Sequence, residues 1–339
     1  MKRLFTALLI PLVFGGCNFD EFPDFSTEGE FNYKREMRGL VESISSYASS
    51  LDSGFVVIAE DAPELITTTG RQSAQIDSDY VSALDGVAQT GLFYGQITVD
   101  QATSASERNR LKAYLDLAQG DGANILVTDF AFTEANIDNA YDLSDNAGYV
   151  GFVAEQKILD TIPDFPVPIY NRNRFDVDRL SQVQNFLNLT NTGGYSTRQD
   201  LVNDVRNTDY DLIVMDFFFD GAAYTADQIN DLKFKDNGRR RLLIATMNVG
   251  YAEDNRYYWE SFWPTNPPEW LRDRVASTDN AYYVDYWKKG WKDILYGNDD
   301  SYLFRIIDAG FDGVYLKGVG VYDYFENLEP VDEESDSEG

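Results

Sequence analysis

The sequence predicts a single-domain α/β fold, a (β/α)8 barrel, on three observations. Eight short apolar or β-branched runs are spaced along residues 31–328, segments of helical periodicity alternate with them, and no linker divides that stretch. The runs are FVVIAE (55–60), GLFYG (91–95), NILVTDF (124–130), GYVGFVA (148–154), NFLNLTN (185–191), DLIVMDFFF (211–219), LLIATMNVG (242–250) and GVYLKGV (313–319). Several are almost continuously apolar, as strands covered on both faces of a parallel sheet must be. An open doubly wound sheet would show the same alternation, but no G-x-G-x-x-G follows the first run to support a dinucleotide site.

The helical segments carry their own signals. Residues 33–51 set Met37, Leu40, Val41, Ile44, Ala48 and Leu51 on one face. Ser196-x-x-Gln199 and Thr225-x-x-Gln228 read as capping boxes, and Gly310 after FRIIDA reads as a helix stop.

The ends read differently from the middle. Lys2 and Arg3 precede an apolar run from Leu4 to Phe14, which is half the roughly 20 residues needed to cross a bilayer. Gly15 and Gly16 then lead to Cys17, the only cysteine, which can form no internal disulfide. Residues 1–16 are therefore expected to be a lipoprotein signal peptide, with simple cleavage as the alternative. Residues 17–30 follow as lipidated Cys17 and tether. The expected location is extracytoplasmic, on the cell envelope, with the membrane as a partner through the lipid anchor. Residues 329–339 hold six acids and no base and read as an acidic disordered tail.

Composition narrows the chemistry. A formal charge of −29 argues against nucleic acid, which is bound by clustered Lys and Arg. The charge suits solubility, a cationic ligand or calcium, although no D-x-D-x-D-G loop is present for the last. The chain has no histidine, so His-based triads and His-ligated zinc are excluded, and Asp, Glu, Tyr or Lys must carry any proton transfer. No cofactor and no metal is expected.

In such a barrel the site lies at the carboxyl ends of the strands. Those ends offer Glu60, Asp61, Tyr94, Asp129, Asn188, Asp216, Glu253 and Lys317 as candidate substrate-binding residues. Each has a structural alternative. Asp129 and Asp216 could cap helices or pair with an arginine, Glu253 could pair with Arg256, and Tyr94 could seal the barrel mouth rather than stack on a ligand. All five tryptophans fall between Trp259 and Trp291, around the loop FWPTNPPEW, which is the best candidate for a cleft wall.

The blocks DLIVMDFFFDG, LLIATMNVGYAEDNRYYW, AYYVDYWKKGW and RIIDAGFDGVYLKGVGVYDYF resemble glycoside hydrolase family 114, the endo-α-1,4-polygalactosaminidase-like group, and its extracellular prokaryotic relatives. The likeness extends upstream through GFVVIAEDAPEL, ALDGVAQTGLFYG and NFLNL, covering most of the chain. It implies a barrel that acts within α-1,4-linked galactosamine polymers, so a carbohydrate polymer, cationic in that case, is the implied partner. Two positions depart from the pattern. Lys317 stands where relatives hold a catalytic aspartate in GFDGVYLD, and Thr90 stands where they hold a glutamate. Asp61, Asn188 and Thr246 also replace the residues common in relatives.

Glycoside cleavage ordinarily needs two carboxyl groups, roughly 5 Å apart for retention or roughly 6.5–9.5 Å for inversion. Lys317 and Thr90 cannot supply them, so the expected function is polysaccharide binding with hydrolysis lost or impaired. An active endo-glycosidase with relocated carboxylates, Asp216 and Glu253 foremost with Asp61 and Asp129 behind them, is one alternative. A structural or assembly lipoprotein is another. Lys317 is expected to ion-pair with Asp129, Asp216 or Glu253 and keep them ionised, leaving no ready general acid.

Overall fold

The computed structural model describes residues 31–328, Ser277 and Asp279 excepted, and the compact unit starts at Tyr33. The expected signal peptide, Cys17 with its tether, and the acidic tail lie outside the described residues. Among the described residues no helix is long and apolar enough to cross a membrane.

The chain enters through α1 (Tyr33–Leu51), whose buried face comprises Met37, Leu40, Val41, Ile44 and Ala48. Each of the four larger side chains contributes about 1.5–3 kcal/mol by leaving water. Leu51 does not join them, because the last turn runs past the core and leaves it 45% exposed. Arg38 is buried beside this face yet fully engaged: Nε lies 2.9 Å from Asp77, and the terminal nitrogens donate to the carbonyls of Thr67 and Thr68.

Eight parallel strands form the barrel: β1 (Val56–Glu60), β2 (Gly86–Thr90), β3 (Asn124–Phe130), β4 (Val150–Ala154), β5 (Phe186–Leu189), β6 (Leu212–Asp216), β7 (Leu242–Asn248) and β8 (Gly313–Lys317). The hydrogen-bonded order is β4-β3-β2-β1-β8-β7-β6-β5, so the ring is continuous except between β4 and β5. Side chains close that seam: the rings of Phe152 and Phe186 lie 5.6 Å apart across it.

Seven strands coincide with the runs read from the sequence, and the second does not. GLFYG is the loop after β2, and the strand is GVAQT just before it. Gly91 and Gly95 take positive φ (61° and 83°) and fold the loop back, so Leu92, Phe93 and Tyr94 are buried without being extended in the sheet. Inside the barrel, β2 needs a small residue: a Cβ on Gly86 would lie 2.8 Å from the Leu180 side chain, which rises into the lower barrel. That is why the true strand looks weak in the sequence.

Helices α2 (Ser78–Ser82), α3 (Ala105–Gly120), α4 (Glu134–Ala147), α5 (Arg198–Arg206), α6 (Ala226–Leu232), α7 (Lys289–Leu295), α8 (Tyr302–Asp308) and α9 (Tyr322–Glu326) follow in order. Thr225 and Gln228 form the expected reciprocal capping box at α6. At α5 the cap is one residue later than read: Thr197, not Ser196, accepts the N–H of Asp200. Gly310, at φ 92°, ends α8 as expected, with its N–H bonded to Ile307 and that of Phe311 to Ile306.

Two connections are unusual. Residues 155–185, between β4 and β5, contain no α-helix among the described residues, only the 3-10 turn Leu180–Gln182. After β7 the chain makes an excursion containing a three-stranded antiparallel sheet with Ala281–Val284 between Tyr251–Glu253 and Leu271–Arg274. Trp291 ties this excursion to the barrel through a 2.8 Å bond from Nε1 to the carbonyl of Val249.

Candidate functional site

Strand register fixes which residues look into the barrel. Asn188 on β5 donates to Thr128 Oγ1 on β3 at 3.1 Å, a bond that only inward-facing residues of non-neighbouring strands can make. Alternation and pairing then carry the assignment round the ring: Asn188 pairs with Val214, Asp216 with Thr246, Thr246 with Tyr315, Tyr315 with Ile58, Ile58 with Gly86, and Thr90 returns to Thr128. With the stagger of an eight-stranded barrel, odd strands contribute one layer, Glu60, Thr128, Asn188 and Thr246. Even strands contribute Thr90, Asp216 and Lys317 just above. The layers below are apolar, with Ile58, Leu126, Phe186 and Ile244, so the barrel is dry at its centre and polar at its carboxyl end.

A cleft of about 260 Å³ opens over β8, β1 and β2, with Glu60, Asp61, Thr90 and Lys317 on its floor. Tyr315 donates to Glu60 Oε1 at 3.1 Å, and Lys317 Nζ stands 3.7 Å from Glu60 Oε2. Asp61 follows with φ 52°, an unfavourable backbone for a residue with a Cβ. Its carboxylate is clamped by three donors: Thr90 N at 2.7 Å, Thr90 Oγ1 at 2.6 Å and Gln89 Nε2 at 2.9 Å. Burial of the carboxyl among these groups and the adjacent Glu60 charge push the Asp61 pKa up, while the Thr90 bonds and the Lys317 charge pull the other way. The residue as a whole is exposed at the cleft opening, and solvent there moderates the rise.

Loops after β2, β3 and β4 build the far wall, from Gln96, Phe130, Lys157 and Leu159. Lys157 ties two of them, donating to the carbonyls of Gln96 and Ile97 at 2.7 and 3.3 Å. On the same three loops Ile97, Phe132 and Ile158 stand 86%, 62% and 50% exposed.

The other expected site residues lie elsewhere. Asp129 faces away from the barrel interior, opposite Thr128 and Phe130 on the strand, and its buried carboxylate accepts the N–H groups of Phe93 and Tyr94 at 2.8 and 3.0 Å. Burial raises its pKa to about 7 against those two bonds. Asp129 thus holds the β2 loop. Tyr94 is buried, with its hydroxyl on Asn139 of α4 at 2.9 Å, and seals the loop rather than offering a stacking face. Asn188 is fully buried in the barrel interior, on the side away from the cleft, its Oδ1 without a protein partner.

Asp216 and Glu253 share one guanidinium. Arg256 donates to both oxygens of Asp216 at 2.9 Å through its terminal nitrogens, and to Glu253 at 2.9 and 3.2 Å through Nε and a terminal nitrogen. The expectation that Lys317 pairs with Asp129, Asp216 or Glu253 is therefore corrected. Arg256 takes two of those acids, the β2 loop takes the third, and Lys317 faces Glu60. At Asp129 the expected lowering of the pKa is also corrected, because burial raises it and Lys317 plays no part there.

Sequence reading did not find Gln96, Phe130 or Lys157. The strand-end rule that found Asp216 would have found Lys157, three residues beyond β4. Among the described residues no group of three or more His, Cys, Asp or Glu is placed to hold a metal ion.

No protein-family model matches the sequence. Parts of the chain are similar to uncharacterized proteins of Methanocaldococcus jannaschii (34% identity over 157 residues, 45% of this chain and 42% of the relative), Thermotoga maritima (34% over 125 residues, 36% of each) and Deinococcus radiodurans (31% over 150 residues, 44% of each). The matched segment spans less than half the length of each relative.

Proposed function

We propose that this barrel binds an amino-sugar polymer, such as α-1,4-linked galactosamine, in the cleft over β8, β1 and β2, without cleaving it by the two-carboxylate route of the hydrolases it resembles. One observation carries the reading: Thr90 and Lys317, which stand where the resemblance implies the catalytic acids, line a single cleft and both are engaged by its acids. Thr90 spends its hydroxyl on Asp61, and a cationic lysine can neither form a glycosyl ester nor accept a proton. The mixture of fixed hydrogen-bonding groups with the apolar side chains of Phe130 and Leu159 in the same cleft suits a sugar ring, which is polar at its edge and apolar on its faces.

Hydrolysis by relocated carboxylates is the second reading, and the raised pKa of Asp61 beside Glu60 is what favours it. Asp216 and Glu253 do not, since each would have to leave Arg256 to reach a substrate. Calorimetric titration of galactosamine oligomers, run beside a reducing-end assay, decides between them. Binding without product supports the first reading, and product release that Asp61→Asn abolishes replaces it with the second.

A further inference from the structure

We propose that the groove on the β7 excursion is a second saccharide subsite, separate from the cleft over β8, β1 and β2. The groove, about 370 Å³, is lined by the rings of Trp263, Pro264, Pro267 and Tyr282 and by the charged side chains of Arg272, Asp273 and Arg274. Flat rings and planar charged groups thus line one groove.

Both sets of groups are held rigid before any ligand arrives. Tyr282 is backed on one side by Trp259, with ring centroids 4.8 Å apart at 32°. From Trp259 a chain of ring contacts at 5.0 Å runs through Trp263 and Trp270 to Trp291, which is bonded to the end of β7. Among the charged groups, the buried carboxylate of Asp285 grips Arg272 at 2.8 and 2.7 Å, fixing the plane of its guanidinium while leaving the side chain half exposed. Fixed partners lose little conformational freedom on binding, so the contact is not offset by ordering.

The chemistry selects a pyranose unit. Its C–H face lies on an aromatic or proline ring, and its equatorial hydroxyls meet Arg272 and Asp273 at the edge. Proline brings no N–H that would be desolvated without a partner. Nucleic acid, which also stacks, is repelled by a protein of charge −29. The excursion leaves the barrel at the carboxyl end of β7, beside the strand that carries Lys317. The choice of an amino-sugar polymer as ligand rests on the reading proposed for the cleft. The groove itself does not.

The test uses the full chain, α-1,4-galactosamine oligomers and their N-acetylated forms, with titration calorimetry and tryptophan emission. Tyr282→Ala and Asp273→Ala are expected to weaken binding of long oligomers roughly tenfold, the value of one good ring contact. Tyr282→Phe should restore the affinity, and melting curves check that each variant is folded. Emission should shift on adding oligomer and still shift in Lys317→Ala. Unchanged affinity in both groove variants, with binding lost in Lys317→Ala, overturns the groove and leaves the cleft. An emission shift abolished by Tyr282→Ala, with Lys317→Ala indistinguishable from wild type, supports the groove and removes the cleft reading. No binding and no emission change with any oligomer overturns both.

Discussion

Thr90 holds Asp61 by two bonds at once, its N–H on Oδ1 at 2.7 Å and its hydroxyl on Oδ2 at 2.6 Å. The carboxylate at the end of β1 is thereby fixed in direction by the last residue of β2. Thr90→Val keeps the shape and the backbone bond but loses the hydroxyl. The variant should cost about 1 kcal/mol of stability and raise the Asp61 pKa further, since that bond favours the ionised form. Carboxyl carbon NMR across a pH titration measures the shift. An unchanged Asp61 titration would show that the hydroxyl bond does not hold the carboxylate.

Asp129 makes a pH prediction with a definite sign. Its pKa rises on folding from 3.8 to about 7, so the folded chain binds this proton more tightly than the unfolded chain. Stability from this group is therefore highest below about pH 4, falls as pH rises towards 7, and is level above that, with a total change of up to about 4 kcal/mol. Asp129→Asn can still accept the Phe93 and Tyr94 N–H groups without carrying a charge. Urea unfolding at several pH values should show a flatter profile in Asp129→Asn and at least equal stability at pH 8. A variant much weaker at pH 8 would contradict the account.

Arg256 is predicted to be worth far more than either acid it holds. Arg256→Ala leaves Asp216 and Glu253 as two partly buried acids without a cation, at a cost of about 3–5 kcal/mol. Arg256→Lys should rescue little, because an ammonium cannot serve both carboxylates bidentately. Denaturant midpoints test both, and a loss below about 1 kcal/mol in Arg256→Ala would sink the claim.

Gly95 should be intolerant of any side chain. An alanine Cβ there would lie 2.5 Å from Phe130 Cβ and 2.7 Å from its carbonyl oxygen, at a φ of 83°. Gly95→Ala is expected to cost more than about 2 kcal/mol and to loosen the cleft wall. A melting temperature equal to wild type would contradict it. Gly120→Ala, which meets nothing within 4 Å, is the control.

For the reaction itself, native protein should release no reducing ends from galactosamine polymers, and Lys317→Asp combined with Thr90→Glu should release some. Either change alone should do little, because residues acting as one catalytic unit are strongly non-additive. Product from the native chain is the outcome that would overturn the non-hydrolytic reading.

Apolar runs in the sequence recorded burial, not conformation. For seven strands the two coincide, because a strand in this barrel is covered on both faces. At GLFYG they part: Leu92, Phe93 and Tyr94 are buried by a loop that two glycines fold back, while the neighbouring strand is thinned to Gly86 and Ala88 by what faces it inside. The cleft was half legible for a related reason. Glu60, Asp61 and Lys317 could be placed at strand ends from position alone. Which acid meets which base could not, because Asp216 and Arg256 are 40 residues apart and Lys317 and Glu60 are on strands from opposite ends of the chain.

The seam between β4 and β5 gives the ring a mechanical asymmetry. Seven of its eight joints are stitched strand to strand by backbone hydrogen bonds, and the eighth is closed by side chains and, beyond the strands, by the Asn191 N–H on the carbonyl of Leu159 at 3.1 Å. In a ring of eight, that joint is diametrically opposite the one between β8 and β1. The wall bearing Lys317, Glu60 and Thr90 is therefore the spine of a clasp, its strands tied to one another by continuous ladders. The opposite lip has the ring pair of Phe152 and Phe186 as its catch.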